Sequence, residues 1–308
     1  MQILTITTED LEIIQDQSSL DLGAESTPTS KPKFRIKWDA FLFIGGIHLA
    51  ALAAFFTFSW QAVLLCAVLH WIGGGLGITL GYHRFFTHQS FKASPPVKYL
   101  LAILGTLNCQ GGPISWVAAH RLHHLKSDQP GDPHSPKDGL FWSHMGWCMS
   151  KNSDIDNFPS YQRYAPDLAK DRFLVWLDKY HILPPFLLAV ALYFWGGWPF
   201  VVWGTFVRTV FVYHCTWLVN SATHKWGYQT FKSNDDSMNL WWVALLSYGE
   251  GWHNNHHAFQ TSARHGLKPW EIDTTYWVIK FLKALRLARE VKIPPQRLLH
   301  SFALAATK

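Results

Sequence analysis

The sequence predicts an all-α integral membrane protein: four transmembrane helices in two hairpins, with a cytoplasmic helical cap holding a histidine-rich dimetal site. Three observations carry that prediction. From Ala40 to His83 there are 44 consecutive residues without Asp, Glu, Lys or Arg, about twice the ~20 needed to cross a ~30 Å hydrocarbon core. A second uncharged block runs from Ile182 to Val207. Finally, 17 of the 308 residues are histidine, many of them in three short clusters at or beyond the ends of the apolar blocks.

Composition narrows the class further. The chain is 48% hydrophobic and 16% aromatic with only 16% charged residues, and its mean hydropathy of 0.00 excludes a disordered or highly charged protein. A net charge of +6 with every histidine neutral invites comparison with nucleic-acid binders. Here, however, Lys and Arg flank the apolar blocks instead of forming one stripe, so membrane topology explains them and no nucleic-acid partner is expected. Cys66, Cys109, Cys148 and Cys215 show neither Cys-x-x-Cys pairs nor a disulfide spacing and read as reduced thiols.

In chain order, residues 1–38 form a polar tail, acidic through Glu9, Asp10, Glu12, Asp16, Asp21 and Glu25. It lacks the positive start and apolar stretch of a signal peptide and reads as mobile. The first block divides into spans at about 40–59 and 62–82, joined near Ser59-Trp60-Gln61 as a tight hairpin. A second hairpin has spans at about 182–196 and 199–221, broken by Gly196-Gly197-Trp198-Pro199. Arg208 inside the last span is costly in hydrocarbon, so it should sit in a protein-lined interior or snorkel. Tyr99–Ala119 is also uncharged, but Asn108, Gln110, Gly111, Gly112 and Pro113 favour an interfacial or re-entrant segment. The cap comprises 83–181 and 222–289, the whole working domain 39–289, and 290–308 is a tail.

Lys31, Lys33, Arg35 and Lys37 precede the first span, Arg84, Lys92 and Lys98 follow the second, and the hairpin tips carry no Lys or Arg. The positive-inside rule then places both termini and the cap on the cytoplasmic side. Gly73, Gly77 and Gly81 repeat at Gly-x-x-x-Gly spacing, for close helix packing or, alternatively, for a narrow acyl-chain groove.

The chemistry lies in His83-Arg-Phe-Phe-Thr-His88, His120-Arg-Leu-His123-His124 and His253-Asn-Asn-His256-His257. His-x-x-His-His places its imidazoles on one face of a helical turn. His83 and His88, five apart, diverge by about 140° on an ideal helix and should end or distort theirs. Eight imidazoles exceed what one tetrahedral ion accepts, so two metal ions are the economical reading. His224, with Asn220 one turn earlier and able to hold a water, is a ninth candidate. Asp128, Asp132 and Glu250 are candidate acceptors for imidazole N–H groups. His48, His70, His181, His214, His265 and His300 are read as ordinary satisfied or exposed side chains. Histidine alone does not separate zinc from iron: redox chemistry on an apolar substrate favours iron, hydrolysis zinc with a general base.

These residues, read with Gly77-Ile-Thr-Leu-Gly-Tyr-His83-Arg, Asp132-Pro-His-Ser, Trp142-Ser-His-Met-Gly-Trp147, Trp217-Leu-Val-Asn220-Ser-Ala-Thr-His224 and Gly249-Glu-Gly-Trp-His253-Asn-Asn-His-His, resemble the membrane fatty-acyl desaturases of the delta-9 (stearoyl) type. The chain looks most like the cyanobacterial acyl-lipid enzymes, over roughly Phe41 to Arg289. The resemblance implies a di-iron enzyme that uses O2 and two electrons to place a cis double bond in a C16 or C18 acyl chain, with zinc able to substitute in purified protein. It implies His83, His88, His120, His123, His124, His224, His253, His256 and His257 as ligands, Asn220 as a contact through water, and no catalytic residue beyond the dimetal centre. Gln110, Trp116, Thr216 and Trp217 would line a kinked acyl tunnel.

Two departures matter. Animal acyl-CoA desaturases carry CoA-gripping basic residues just before the second cluster, whereas here that stretch is Val117-Ala118-Ala119, which favours an acyl-lipid over an acyl-CoA substrate. The His-Pro-Gly-Gly signature of a fused cytochrome b5 is absent, so electrons are expected from separate ferredoxin or cytochrome b5. A cyanobacterial setting would place the protein in thylakoid or plasma membrane. The alternatives are a desaturase of other regiospecificity, a di-iron acyl hydroxylase, and, in another class, a histidine-rich metal-binding or transport protein. Transport would call for ligands near the bilayer middle, and a zinc hydrolase for a His-Glu-x-x-His motif that does not occur.

Overall fold

The computed structural model describes residues 34–302. Residues 1–33 and 303–308 lie outside it, and with them Lys31, Lys33, most of the expected amino-terminal tail and the end of the carboxy-terminal one. The side chain of His300 lies outside it too.

The described chain is mostly helical, and three helical stretches are long and apolar enough to cross a membrane: Trp38–Phe56, Trp60–Thr87 and Leu183–His224. The first contains α1 (Trp38–Ala51) and a tighter last turn, Leu52–Phe56. Its Leu42, Leu49, Phe55 and Phe56 are exposed, a surface suited to lipid and not to water. α2 (Trp60–His70) starts at Ser59, whose side chain accepts the Ala62 N–H. It runs on as Trp71–Thr87 in widened turns with i to i+5 hydrogen bonding.

The glycines of this widened stretch admit a neighbour. A Cβ added at Gly77 would lie 2.4 Å from the Leu104 carbonyl oxygen, and one at Gly73 2.4 Å from Asn108 Oδ1. They let α3 (Pro95–Thr106) and the turn after it press against α2. Gly73, Gly77 and Gly81 thus serve helix packing; the cavity wall nearby carries Gly74 instead. Tyr99–Ala119 folds as the end of α3, a turn with Cys109 and Gly111 at positive φ, and the start of α4 (Pro113–Lys126), not as one crossing. Arg208 takes the protein-lined option. It is buried and donates to Asn108 Oδ1 at 3.0 Å, the Leu107 carbonyl at 2.6 Å and the Gly204 carbonyl at 2.7 Å.

The last two expected spans are joined in the stretch Leu183–His224. Non-helical backbone at Gly196 and Gly197, the latter at φ 66°, breaks α8 (Leu183–Val201) near its end. A Cβ added at Gly204 would lie 2.7 Å from Leu192 Cδ1, whereas a straight helix would hold these positions about 18 Å apart. The chain therefore doubles back at the two glycines before α9 (Arg208–Ser221) and a turn at Ala222–His224.

The remaining helices are α5 (Leu140–His144), α6 (Phe158–Tyr164), α7 (Arg172–Lys179), α10 (Trp241–Leu246), α11 (His253–Ala258), α12 (Thr274–Ala284) and α13 (Gln296–Phe302). A two-stranded ribbon pairs β1 (Lys92–Ala93) with β2 (Ala288–Arg289), Lys92 opposite Arg289, tying the end of the expected domain to the chain just past His88. Within the stretch expected as a tail, Leu298 and Leu299 of α13 pack against Phe231 and Phe259.

Candidate metal centre

The fold brings the nine candidate histidines into two groups. His83, His88, His120, His124 and His256 each offer one ring nitrogen to a cluster whose atoms lie within 4.8 Å of one another, and His123, His224, His253 and His257 form a second. α4 feeds both groups, because His120 and His124 lie one turn apart on one side of it while His123 turns to the other. α11 does the same with His256 against His253 and His257.

His83 and His88 stand, as expected, where their helix is distorted and ends: the widened turns run to Thr87 and His88 is the residue that closes them. In turns bonded i to i+5, residues five apart return to one face; His88 N–H bonds the His83 carbonyl at 3.1 Å, and the two Nε2 atoms lie 3.2 Å apart. The 140° divergence applies only to an ideal α-helix.

Nitrogens converge in both groups. His83 Nε2 lies 3.2 Å from His256 Nε2, His256 Nε2 3.1 Å from His124 Nε2, and His124 Nε2 3.0 Å from His120 Nε2. In the second group, His253 Nε2 lies 3.1 Å from His224 Nε2, and the buried Nε2 atoms of His123 and His257 have no hydrogen-bond partner. Lone pairs converging out of contact with water suit a transition-metal cation. Burial holds His88, His120, His124, His253 and His256 well below the usual imidazole value, aided by neighbouring histidines. Neutral imidazole is the ligating form.

Carboxylates hold the rings from behind. Asp132 Oδ1 lies 3.0 Å from His123 Nδ1, Asp128 Oδ2 2.8 Å from His224 Nδ1, and Glu250 Oε2 2.8 Å from His83 Nδ1. A carboxylate on Nδ1–H fixes the tautomer that turns Nε2 inward. Burial opposes charge on Asp132, but His123 beside it keeps its carboxyl well below the usual range. Glu250 is also gripped by Arg84 Nε at 3.0 Å, and Arg84, itself buried, reaches Asp273 Oδ2 at 2.9 Å.

Sequence reasoning missed Asp235, whose Oδ2 lies 2.5 Å from His257 Nδ1. It lies in a polar loop at no motif spacing, so nothing local marks it. His265, read as ordinary, is buried with Nδ1 2.9 Å from Glu250 Oε2 and its ring centroid 4.4 Å from that of His256. His134, in the Asp132-Pro-His-Ser stretch, has its ring centroid 4.2 Å from that of His123, tilted by 31°.

Two cavities meet beside the first group. The outer one, about 550 Å³, begins near Lys37 and Asp156 and reaches Gln110, Trp217 and Asn220; the inner one, about 50 Å³, ends at Tyr248, Cys215 and His70. Trp116, His120, Thr216 and Asn220 line both. Gln110 bridges this junction, donating to Thr216 Oγ1 at 2.9 Å and accepting from Trp116 Nε1 at 3.1 Å.

Residues 57–280 match the family described as Fatty acid desaturase. An sn-1 stearoyl-lipid 9-desaturase of Anabaena variabilis is 50% identical over 88% of this chain and 99% of its own length. An sn-1 stearoyl-lipid 9-desaturase of Synechocystis sp. is 51% identical over 87% of this chain and 84% of its own. An sn-2 palmitoyl-lipid 9-desaturase of Nostoc sp. is 46% identical over 86% and 94%.

Proposed function

This chain belongs to the fatty acid desaturase family, and on that premise we propose that it places a cis double bond at delta-9 of a saturated C16 or C18 acyl chain carried on a membrane lipid. The observation that carries the proposal is the pair of cavities meeting beside His120, at one of two convergent histidine groups. An acyl chain threaded through them has its middle methylenes near the metals, so bond position becomes a matter of depth in the channel.

The nine histidines would hold two iron ions, with zinc as a substitute in purified protein, and Asn220 would contact one of them through a water. When bound, the metal pair supplies the activation of O2 that removes two hydrogens as two electrons and two protons complete its reduction to two waters. The protein's own work is to bind and to exclude. Gln110, Trp116 and Thr216 form the bonded bend of the channel, with Trp217 in its wall, and the apolar lining keeps water from the reacting carbons. Asp128, Asp132, Asp235 and Glu250 keep each partner imidazole's inward nitrogen free of a proton.

Lys37 at the outer mouth is paired with Asp156 at 2.9 Å, and Val117 and Ala118 before the second cluster are buried. Neither place offers a polyphosphate clamp, which supports a lipid-borne substrate over acyl-CoA. The working domain spans 39–289, with four crossings in two hairpins, both termini and the cap on the cytoplasmic or stromal side, and a separate ferredoxin or cytochrome b5 as electron donor.

The test is expression in a host supplied with both donor systems, with and without His123→Ala, and mass spectrometry locating double bonds in acyl lipids. Histidine-dependent 16:1 or 18:1 with the bond at carbon 9 is expected. A hydroxylated product or a bond elsewhere would replace this reaction with another on the same scaffold, and no new lipid from correctly inserted protein would overturn it.

A further inference from the structure

Outside the metal centre lies a second histidine assembly, made of residues that have no part in the proposed chemistry. His48 of α1 donates from Nδ1 to the Ile44 carbonyl at 2.7 Å, and its Nε2 lies 3.3 Å from Nε2 of His214 on α9. His214 Nδ1 in turn lies 2.9 Å from Nε2 of His144, at the end of α5 in the Trp142–Trp147 stretch, and His144 Nδ1 lies 3.0 Å from Ser221 Oγ.

With all three rings neutral, one proton arrangement satisfies every link. The Nδ1–H of His48 goes to Ile44, so its Nε2 accepts from His214 Nε2–H. Then His214 Nδ1 accepts from His144 Nε2–H, and His144 Nδ1 accepts from the Ser221 hydroxyl, whose single proton is then turned away from the Trp217 carbonyl 2.8 Å off. Every ring donates once and accepts once, so each tautomer is set by its neighbours. The chain joins three separate elements: the first apolar helix, the last one and α5.

These rings surround one side chain. Trp217 has ring-centroid distances of 6.3 Å to His48, 5.7 Å to His144 and 5.3 Å to His214, with Tyr213 stacked on it at 4.9 Å. Cys148 packs against the same cluster. Trp217 is also part of the outer cavity wall, near the junction with the inner one.

The geometry points to a positioning role: the His48–His214–His144 chain holds Trp217 in one orientation in the channel wall and so determines which methylene pair stops beside the metals. This inference rests on the desaturase reading. The Trp217 ring is walled by rings that directed bonds tie across three elements, so it can tilt only by displacing them, whereas a tryptophan among untied side chains has room to rock. Because a displacement of about 1 Å at a reacting centre can change rate by about 100-fold, a loosened Trp217 should lower positional selectivity by about tenfold.

The experiment compares wild type, His144→Phe, His144→Gln, Trp217→Ala and the double variant His144→Phe/Trp217→Ala, reading the distribution of double-bond positions together with metal content and the size-exclusion profile. His144→Phe keeps a ring but loses the donor to His214, and should spread the double bond to neighbouring positions about tenfold more than wild type at unchanged metal content. His144→Gln keeps a donor at the same reach and should recover most of the selectivity. Trp217→Ala should spread the products likewise, and the double variant should add nothing to it, because the histidine acts only through the indole.

If Trp217→Ala shifts the products while metal-replete His144→Phe retains a single position, the positioning role is overturned and the channel reading stands. If Trp217→Ala leaves the position unchanged, Trp217 does not set it and the inference falls with that assignment. Should His144→Phe fail to fold, His214→Gln decides: it keeps the donor to His48 but not the acceptor for His144, so intermediate selectivity is expected and wild-type selectivity refutes.

Discussion

Asp235→Asn tests whether the carboxylates behind the histidines govern metal retention. Asp235 Oδ2 lies 2.5 Å from His257 Nδ1, with both side chains nearly inaccessible to water, and the opposite ring nitrogen of His257 faces inward without a partner. Burial opposes charge on Asp235, yet His257 and the Ser237 contact hold its carboxyl far below the usual range. Asparagine preserves the shape and the acceptor for Ser237 N–H, now 3.1 Å from Oδ1, while removing the charge that keeps the His257 proton on Nδ1. Loss of such a partner costs about 10- to 100-fold in metal affinity, or roughly 1.4–2.7 kcal/mol. His257 is one of four imidazoles in its group, and the other group does not use it. Purified Asp235→Asn challenged with graded chelator should therefore release one ion at about 10- to 100-fold lower chelator while keeping the second. The neighbour Asp236, whose partner Lys137 is 3.1 Å away with both side chains more than half exposed, provides the control: Asp236→Asn should match wild type. Wild-type release by Asp235→Asn, measured by metal analysis, would refute the reasoning.

Three further outcomes follow from the geometry. Gly105→Ala places a Cβ 2.1 Å from the Tyr82 ring, and since both residues are fully buried the overlap should cost about 1–3 kcal/mol or more, seen as a lower thermal midpoint by fluorescence-detected size exclusion; an unchanged midpoint contradicts the packing. Asp178 Oδ1 accepts the N–H groups of Ile114 and Ser115 at 2.9 and 2.8 Å, capping α4 from another helix because Gly112 has no side chain to do so. Asp178→Ala should cost about 0.5–2 kcal/mol and weaken metal retention by both groups, since α4 feeds both; loss from one group alone would be the wrong result. In metal-free protein, the five buried histidines held below the usual value bind fewer protons folded than unfolded as pH falls through about 6.5. Stability is thus present above that pH and lost below it, and the thermal midpoint of chelator-treated protein should drop between pH 7.5 and 5.5; a flat profile would show that these rings are not neutral by burial.

Much of the architecture was legible because membrane and metal chemistry write themselves locally. A run of 44 uncharged residues has few folded uses besides crossing lipid, and the doubled His-x-x-His-His spacing assembles a ligand face within one helical turn. The break in Tyr99–Ala119 and the reversal at Gly196-Gly197 were likewise marked by helix-breaking residues. Where the reading stopped short, helix geometry or tertiary contact was responsible. The placement of His83 with His88 needed the widened turns of α2, which depend on how α3 packs against its glycines. His265 looked ordinary because its partner Glu250 lies across a turn of structure that no spacing encodes.

The sequence by itself determined the family, the apolar spans and the histidines presented for metal, since each depends on residues close together in the chain. Only the tertiary structure decided how those histidines divide five and four, that Asp235 stands behind His257, and that His48, His144 and His214 meet around Trp217. Those pairings join residues up to 173 positions apart. They exist because the fold carries buried polar groups away from water, where each must find a partner, and the choice of partner belongs to the packing of helices and not to any one of them.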